Sequence, residues 1–412
     1  MKTIFVILDG VVDRECKALK GKTPLEAAYT PNIDWFAKEG KQGVVAEFET
    51  KSTPESHERI LALFGYSPHI VERGVLEAIG CDIKLKHGDL ALRTNFATIK
   101  SIADPIIIDR RVGRTLTTKE ANILAKEINK KLKLPYKFIF KATIQHRGVL
   151  VIRGGFSDNI TDTDRTYSSR KDKDKLNYAI ALDDDETSEL SANLVNEFIE
   201  QSYFILKNHP INKYRKNKGL LPANIVLTRG AGSNIPEIKK LSGKWAAIVS
   251  MPLEKGIAKL LGMQVFSFPY PPLRNYDVYS NLYEGLNTTI SFAKKVIRKN
   301  INKYTHFYIH FKETDLPGHD GRAEDKKKMI EIIDSEFFSF IREITKKEKI
   351  RLVVTSDHAT PCDMKIHTSD NIPIMVYGEG SDNTKRFTEK ESKRGKLSKL
   401  NSKEIIKFLI SE

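Results

Sequence analysis

Ile350-Arg351-Leu352-Val353-Val354-Thr355-Ser356-Asp357-His358 begins as an apolar, β-branched run and stops abruptly on hydroxyls, a carboxylate and an imidazole. Other stretches are built the same way: residues 4–8 before Asp9, 223–227 before Thr228-Arg229-Gly230, 245–249 before Ser250, and 305–311 before Lys312-Glu313-Thr314-Asp315. Short continuous apolar runs are the pattern of parallel strands buried on both faces. Amphipathic stretches at 187–207, 281–299 and 322–346 alternate with them and predict helices. The alternation predicts an α/β fold with a doubly wound, mostly parallel sheet. Ligands bind beyond the C-terminal strand ends of such sheets, so the polar residues that close these runs are expected to converge on one site.

The segment 82–164 reads differently. Short strands at 90–99, 137–143 and 148–153, one helix near 118–132 and several turn clusters make an α+β pattern. It is expected to be an inserted substrate-binding domain, with 1–81 and 165–412 forming a discontinuous core. The chain should return to the main sheet near 165–185, through an exposed, mobile linker at 167–175 rich in Ser, Lys and Asp.

A chain of 412 residues is long enough for two domains, and 40% hydrophobic content is that of an ordinary globular protein. No apolar run reaches 18 residues, and the N-terminus enters a strand pattern without a signal-peptide layout, so a cytoplasmic protein with no membrane association is expected. Cys16, Cys81 and Cys362 are too few and too scattered for a disulfide framework or a cysteine zinc site, and read as small buried residues. The net charge of +15 comes from lysines spread along the chain, without an Arg-aromatic RNA signature or a helix-turn-helix. That balance points to a solvated basic surface with a local anion site superimposed, and to a small anionic partner in place of nucleic acid.

Asp357-His358, with His367 nine residues on, offers a hard oxygen and borderline nitrogens on a strand end, the donor set a divalent transition metal takes. Asp315-Leu316-Pro317-Gly318-His319 repeats the pairing after another strand, its Pro-Gly favouring a loop over a helix, and Asp9 adds a third strand end. Together they predict a two-metal site, which suits phosphoryl transfer. Such a site needs a nucleophile. Ser56, in Glu55-Ser56-His57-Glu58, precedes an apolar helical stretch and reads as an N-cap whose helix would aim amides and a positive dipole at a phosphate. Lys312, between a strand and Asp315, is the candidate to contact the transferred group.

Here the sequence resembles a known family. Ile7-Leu8-Asp9-Gly10, Thr23-Pro24-Leu25-Glu26-Ala27-Ala28, Arg73-Gly74-Val75-Leu76-Glu77-Ala78, Arg93-Thr94-Asn95-Phe96-Ala97-Thr98, Ser157-Asp158-Asn159-Ile160-Thr161-Asp162-Thr163-Asp164, Lys312-Glu313-Thr314-Asp315 and Asp357-His358-Ala359-Thr360-Pro361-Cys362 are similar to the archaeal type of cofactor-independent phosphoglycerate mutase, in the alkaline phosphatase superfamily. The resemblance implies one metal on Asp9, Ser56, Asp357 and His358, and a second on Asp315, His319 and His367. It implies two divalent ions among Mn, Zn, Co and Mg, with no requirement for 2,3-bisphosphoglycerate. A phosphoserine at Ser56 would carry the interconversion of 3- and 2-phosphoglycerate in glycolysis and gluconeogenesis.

The resemblance further suggests Asn95, Arg110, Arg111, Arg114, His146, Arg147, Arg153 and Asp158 for substrate binding. The chain departs from the family pattern beside the nucleophile, with Glu55-Ser56-His57 in place of Gly-Ser-Asp, and Glu55 brings a negative charge that would oppose phosphate. Two alternatives remain open at this stage: a phosphatase or phosphodiesterase on the same core, and an inactive basic binding homologue.

Overall fold

The computed structural model describes residues 1–45, 55–164 and 175–410. Its larger sheet has the order β13-β2-β12-β11-β1-β10-β8-β9, where β1 is Lys2–Leu8, β2 Gly40–Val45, β8 Trp245–Ile248, β9 Gln264–Phe266, β10 His306–Phe311, β11 Ile350–Thr355, β12 Ile372–Tyr377 and β13 Ser398–Leu400. From β11 to β9 all neighbours run parallel, while β12 is antiparallel to both β11 and β2. Four of the five apolar runs that predicted parallel strands, those ending at Asp9, Ser250, Lys312 and Ser356, therefore lie in the parallel part of this sheet. Ile4 to Ile7 are wholly buried, as strands covered on both faces require.

The second sheet is antiparallel, β4-β3-β6-β5 with β7 also paired to β3, where β3 is Leu90–Ile99, β4 Ile107–Asp109, β5 Phe138–Ala142, β6 Arg147–Ile152 and β7 Ile225–Gly232. Helices Thr118–Lys131 and Glu186–Leu206 cover it and complete a hydrophobic cluster separate from that of the main sheet. Two expectations change as a result. The run at 223–227 is not a strand of the main sheet; it pairs with β3. The second unit also does not close at 164, because helix Glu186–Leu206 and β7 belong to its core. An apolar run carries no label saying which sheet it will join, so periodicity assigned it to the wrong one. The expected linker lies outside the described residues except for Lys175, which bridges to Ile106.

The long helix expected at 322–346 is interrupted. Ala323–Ile332 passes through a π-helical turn, Ile333–Phe338, into Ser339–Thr345. The turn brings Asp334 onto the backbone N–H groups of Asn32 and Ile33, at 3.2 and 2.7 Å, where it caps helix Pro31–Glu39.

Helix Arg73–Gly80 joins the two units. On one side a Cβ at Gly74 would lie 2.1 Å from the Ala91 carbonyl oxygen in β3; on the other, a Cβ at Gly80 would lie 1.8 Å from that of Pro252. Helix Pro252–Leu260 answers with Gly256, whose Cβ would sit 1.8 Å from the Leu76 carbonyl oxygen. Two helices thus cross at backbone contact, and both bear residues that line the cavity described below. Replacing Gly256 by Ala adds about 1 kcal/mol of helix propensity, but the new methyl must push one backbone off the other. Gly256→Ala is expected to destabilise the fold by about 1–3 kcal/mol, read as a lower denaturant midpoint; an unchanged or higher midpoint would show that the crossing is not tight.

Candidate active site

Strands β1, β10 and β11 are neighbours in the sheet, so Asp9, the residues after Phe311 and those after Thr355 emerge side by side. Leu8 is in register with Phe311, Ile7 with Thr355, and the Asp9 N–H donates to the Phe311 carbonyl at 2.9 Å. The chain then turns at Gly10, with φ +55° and its N–H donating to Asp357 Oδ1. A Cβ there would stand 2.6 Å from both Asp315 Oδ1 and Thr360 Oγ1, so only glycine lets the three segments close on one another.

Asp315 to Asp320 form a short helix, against the expectation of a loop. Pro317 is its third residue, where the N–H has no intrahelical acceptor in any case, so the proline costs no hydrogen bond. The helix puts Asp315 and His319 on one face, with His319 Nε2 3.4 Å from Asp315 Oδ2. His319 Nδ1 faces the Lys365 carbonyl at 2.9 Å, which requires the proton on Nδ1 and leaves Nε2 with its lone pair. His367 Nε2 lies 3.8 Å from Asp315 Oδ1, and the His358 and His367 rings stack at 3.7 Å.

Two donor groups result. Asp315, His358 and His367 offer ligand atoms within 4.8 Å of one another, and so do Asp9, His310 and Asp357. All seven residues expected as metal ligands meet here, with a redistribution. His358 Nε2 is shared, 3.3 Å from Asp9 Oδ1, 3.4 Å from Asp357 Oδ2 and 3.3 Å from Ser56 Oγ. His310 is an addition that the sequence reading missed. Asp9 Oδ2 accepts from its Nε2 at 3.0 Å, while its Nδ1 takes the Tyr308 hydroxyl at 2.9 Å. A donating nitrogen is not a ligand, so in this geometry His310 orients Asp9 and leaves Oδ1 to another partner.

That partner is a cation by the chemistry of the donors. Asp9 and Asp357 are at most 1% exposed, and Asp9 Oδ1 and Asp357 Oδ2 accept no hydrogen bond. Burial and the neighbouring Asp9 push the Asp357 carboxyl up. Burial also opposes ionisation of Asp9, but Lys312, His310 and His358 outweigh it and hold that carboxyl well below the usual range. Burial draws His358 downward, and Asp357 with Asp9 more than reverses it. Two buried carboxylates sharing lysine and imidazole protons are a donor set that divalent ions fit.

Ser56 is the first residue of helix Ser56–Leu63, 7% exposed and in contact with the donor residue His358. The cap lies one residue earlier than expected: Glu55 is the N-cap, and Glu58 returns to its N–H at 2.5 Å. In front of Ser56 opens a cavity of about 180 Å³ lined by Lys312, Asp315, His319 and His367 on the main sheet's side and by Arg73, Arg93, Arg147 and Arg229 on the other.

Comparison with known proteins identifies the family. A family model described as 2,3-bisphosphoglycerate-independent phosphoglycerate mutase matches residues 37–212. Curated proteins of that name from Thermococcus kodakarensis and Pyrococcus abyssi are each 35% identical, over 99% of this chain and 96% and 97% of their own. The chain belongs to this family. Among solved structures, a Pyrococcus horikoshii protein matches with a TM-score of 0.76 at 27% identity, covering 99% of this chain and 96% of its own. The cofactor-independent phosphoglycerate mutase of Thermoplasma acidophilum matches at 0.58 and 28%, covering 100% and 99%.

Within this mutase family member, the unusual neighbours of Ser56 are accounted for by charge. Glu55 Oε2 lies 2.8 Å from Arg73 Nη1 and its Oε1 3.7 Å from Arg229 Nη1. Burial raises the Glu55 carboxyl, and Arg229 with Arg73 overcomes that and holds it well below the usual range. Its negative charge is therefore directed at the arginines instead of opposing a phosphate. His57 is buried with Nδ1 3.6 Å from Glu55 Oε2.

The residues expected for substrate binding divide. Arg111, Arg114, His146 and Arg147 line the cavity, with Arg114 held by Asp320 at 2.5 Å. Arg110, Arg153, Asn95 and Asp158 do not. Arg110 pairs with Asp164 at 2.9 Å, Arg153 is committed to Asp89, Asn95 donates to Asp164 at 2.8 Å, and Asp158 accepts from the Ser233 N–H at 2.8 Å. Arg73, Arg93, Arg229, Glu77 and Glu254 reach the cavity without having been singled out. Their clue was charge placed inside otherwise apolar helices and strands, as in Arg73-Gly74-Val75-Leu76-Glu77.

Burial pushes the His57 imidazole down to about 4, against the pull of Glu55. Its folded pKa lies below that of the unfolded chain, so its contribution to stability is present above about 6.5 and is lost as the pH falls through about 4. His57→Asn is expected to flatten the parent's acid-side stability loss over that window by on the order of 2–3 kcal/mol. Parallel denaturation curves from pH 7 to 4 measure it; identical slopes for parent and variant would contradict a buried neutral His57.

Proposed function

We propose that the chain interconverts 3-phosphoglycerate and 2-phosphoglycerate without 2,3-bisphosphoglycerate, through phosphorylation of Ser56. The observation that carries this reading is that Ser56 Oγ, 3.3 Å from His358 Nε2, lines the same cavity as Asp315, His367 and a set of arginines. Two divalent ions on Asp9, Asp357 and His358 and on Asp315, His319 and His367 would ease ionisation of the Ser56 hydroxyl and neutralise the phosphoryl oxygens. Ser56 Oγ then bonds to phosphorus as the bond between phosphorus and the C3 oxygen breaks, and the proton lost by the serine hydroxyl is made good on the leaving C3 oxygen. Lys312 adds a charge-assisted contact to the group in transit. Guanidinium forks from Arg73, Arg147 and Arg229 suit the carboxylate of the freed glycerate, retaining it while it turns. Its C2 hydroxyl attacks the phosphoserine and gives up its proton, the Ser56 oxygen leaves as its bond to phosphorus breaks and takes up a proton in exchange, and the product carries the phosphoryl group on C2.

A mutase must keep the acceptor and exclude water, and a cavity walled by two units can do both. The described residues support a phosphatase-like core that carries Asp9, Ser56 and the other expected ligands, and a second unit extending from β3 to β7 that brings most of the arginines. No helix among the described residues is long and apolar enough to cross a membrane, and a cytoplasmic enzyme acting on a small phosphorylated substrate is the reading we adopt.

Ser56→Ala is expected to abolish isomerisation, by about three orders of magnitude or more, in an enolase-coupled assay on 3-phosphoglycerate with manganese and without 2,3-bisphosphoglycerate, while metal binding is largely kept. If parent protein released free phosphate faster than it formed the 2-isomer, a phosphatase would replace the mutase reading.

A further inference from the structure

One carboxylate in the cavity has no task in the reaction just described. Glu254 is the third residue of helix Pro252–Leu260, on the turn whose Gly256 packs against Leu76, and is 1% exposed. Its Oε1 lies 3.1 Å from Lys312 Nζ, yet neither oxygen accepts a well-directed hydrogen bond. A carboxylate buried this deeply is costly unless a cation compensates it, and the cation beside it is Lys312. Lys312 is in turn bound to Asp9, the residue that also accepts from His310.

The lysine thus has two carboxylate partners, and they are not equivalent. Asp9 carries an oxygen without a hydrogen bond in the donor group of the main sheet, so a divalent ion taken up there would claim its charge and repel the neighbouring ammonium. Glu254 is outside both donor groups. We propose that Glu254 is a positioning residue for Lys312, anchoring the ammonium at the cavity wall when Asp9 turns to a metal; this inference rests on the mutase reading. Without that anchor the flexible, strongly hydrated lysine head would withdraw into solvent and could no longer meet the transferred phosphoryl group, an attraction that strengthens as charge builds there. The tight crossing at Gly256 and Leu76 fixes the helix end from which Glu254 reaches Lys312.

The experiment is a double-mutant cycle on the full-length, manganese-loaded protein with Glu254→Gln, Lys312→Met and their combination, with Glu254→Asp as the conservative variant. Glu254→Gln should lower kcat about tenfold or more and move KM by less than about threefold; it should add little in the Lys312→Met background, and Glu254→Asp should recover part of the loss. Bound manganese, measured by elemental analysis, should stay at the parent's stoichiometry in every variant. On metal-free protein, the fall in denaturant midpoint for the double variant should be smaller than the two single falls together. Equal kcat losses in both backgrounds would overturn the proposal, and so would loss of a manganese equivalent in Glu254→Gln, which would make Glu254 a ligand. The metal-free cycle needs no substrate, so it judges the Glu254–Lys312 pairing even if parent protein proves to release phosphate and the mutase reading fails.

Discussion

Two carboxylates, Asp9 and Asp357, are buried together at the ends of adjacent parallel strands, and much of the molecule is arranged around that unfavourable fact. Like charges at such short range in a dry environment cannot both be satisfied by protein groups alone. The partial remedies are visible: His310 donates to one oxygen, the Gly10 N–H to another, Lys312 approaches Asp9, and His358 sits between the two. Two oxygens remain without hydrogen bonds. Strain of this kind is characteristic of a site that expects a cation, and it explains why three strand ends, a glycine with positive φ and a short proline-bearing helix all close on the same few ångströms.

The second organising feature is how positive charge is kept in place opposite those carboxylates. Arg73 is held by Glu55 and Glu77, Arg93 lies beside Glu77, and Arg114 is held by Asp320 across the junction of the two units. Each pairing fixes a guanidinium without hiding the cavity it lines. The helix crossing at Gly80 and Gly256, with Gly74 packed against β3, sets the distance between this cationic wall and Ser56, so packing at backbone contact governs the geometry of binding. A cavity formed between two independently cored layers can hold an anionic intermediate away from water, which separates isomerisation from hydrolysis.

Much of this was legible in the sequence, for physical reasons. Strands buried on both faces leave continuous apolar runs, and a polar residue ending such a run marks the functional edge; Asp9, Asp315, Asp357 and His358 were found that way. β3 was read with its observed bounds because its run is long and flanked by turn residues. β7 was misplaced because burial against either sheet produces the same pattern. His310 was overlooked because it lies within the aromatic strand His306–Phe311, where sequence reads as core and only the fold reveals its contact with Asp9. Arg110 and Arg153 looked like anion ligands, but nearby Asp164 and Asp89 claim them, and no local pattern predicts a partner so far along the chain.

The most direct measurement of the central claim is anomalous diffraction from crystals soaked in manganese. The account predicts two peaks about 4 Å apart, one in contact with Asp9 Oδ1 and Asp357 Oδ2, the other with Asp315 and His367. A single peak, or none within coordination distance of Asp9, would contradict it.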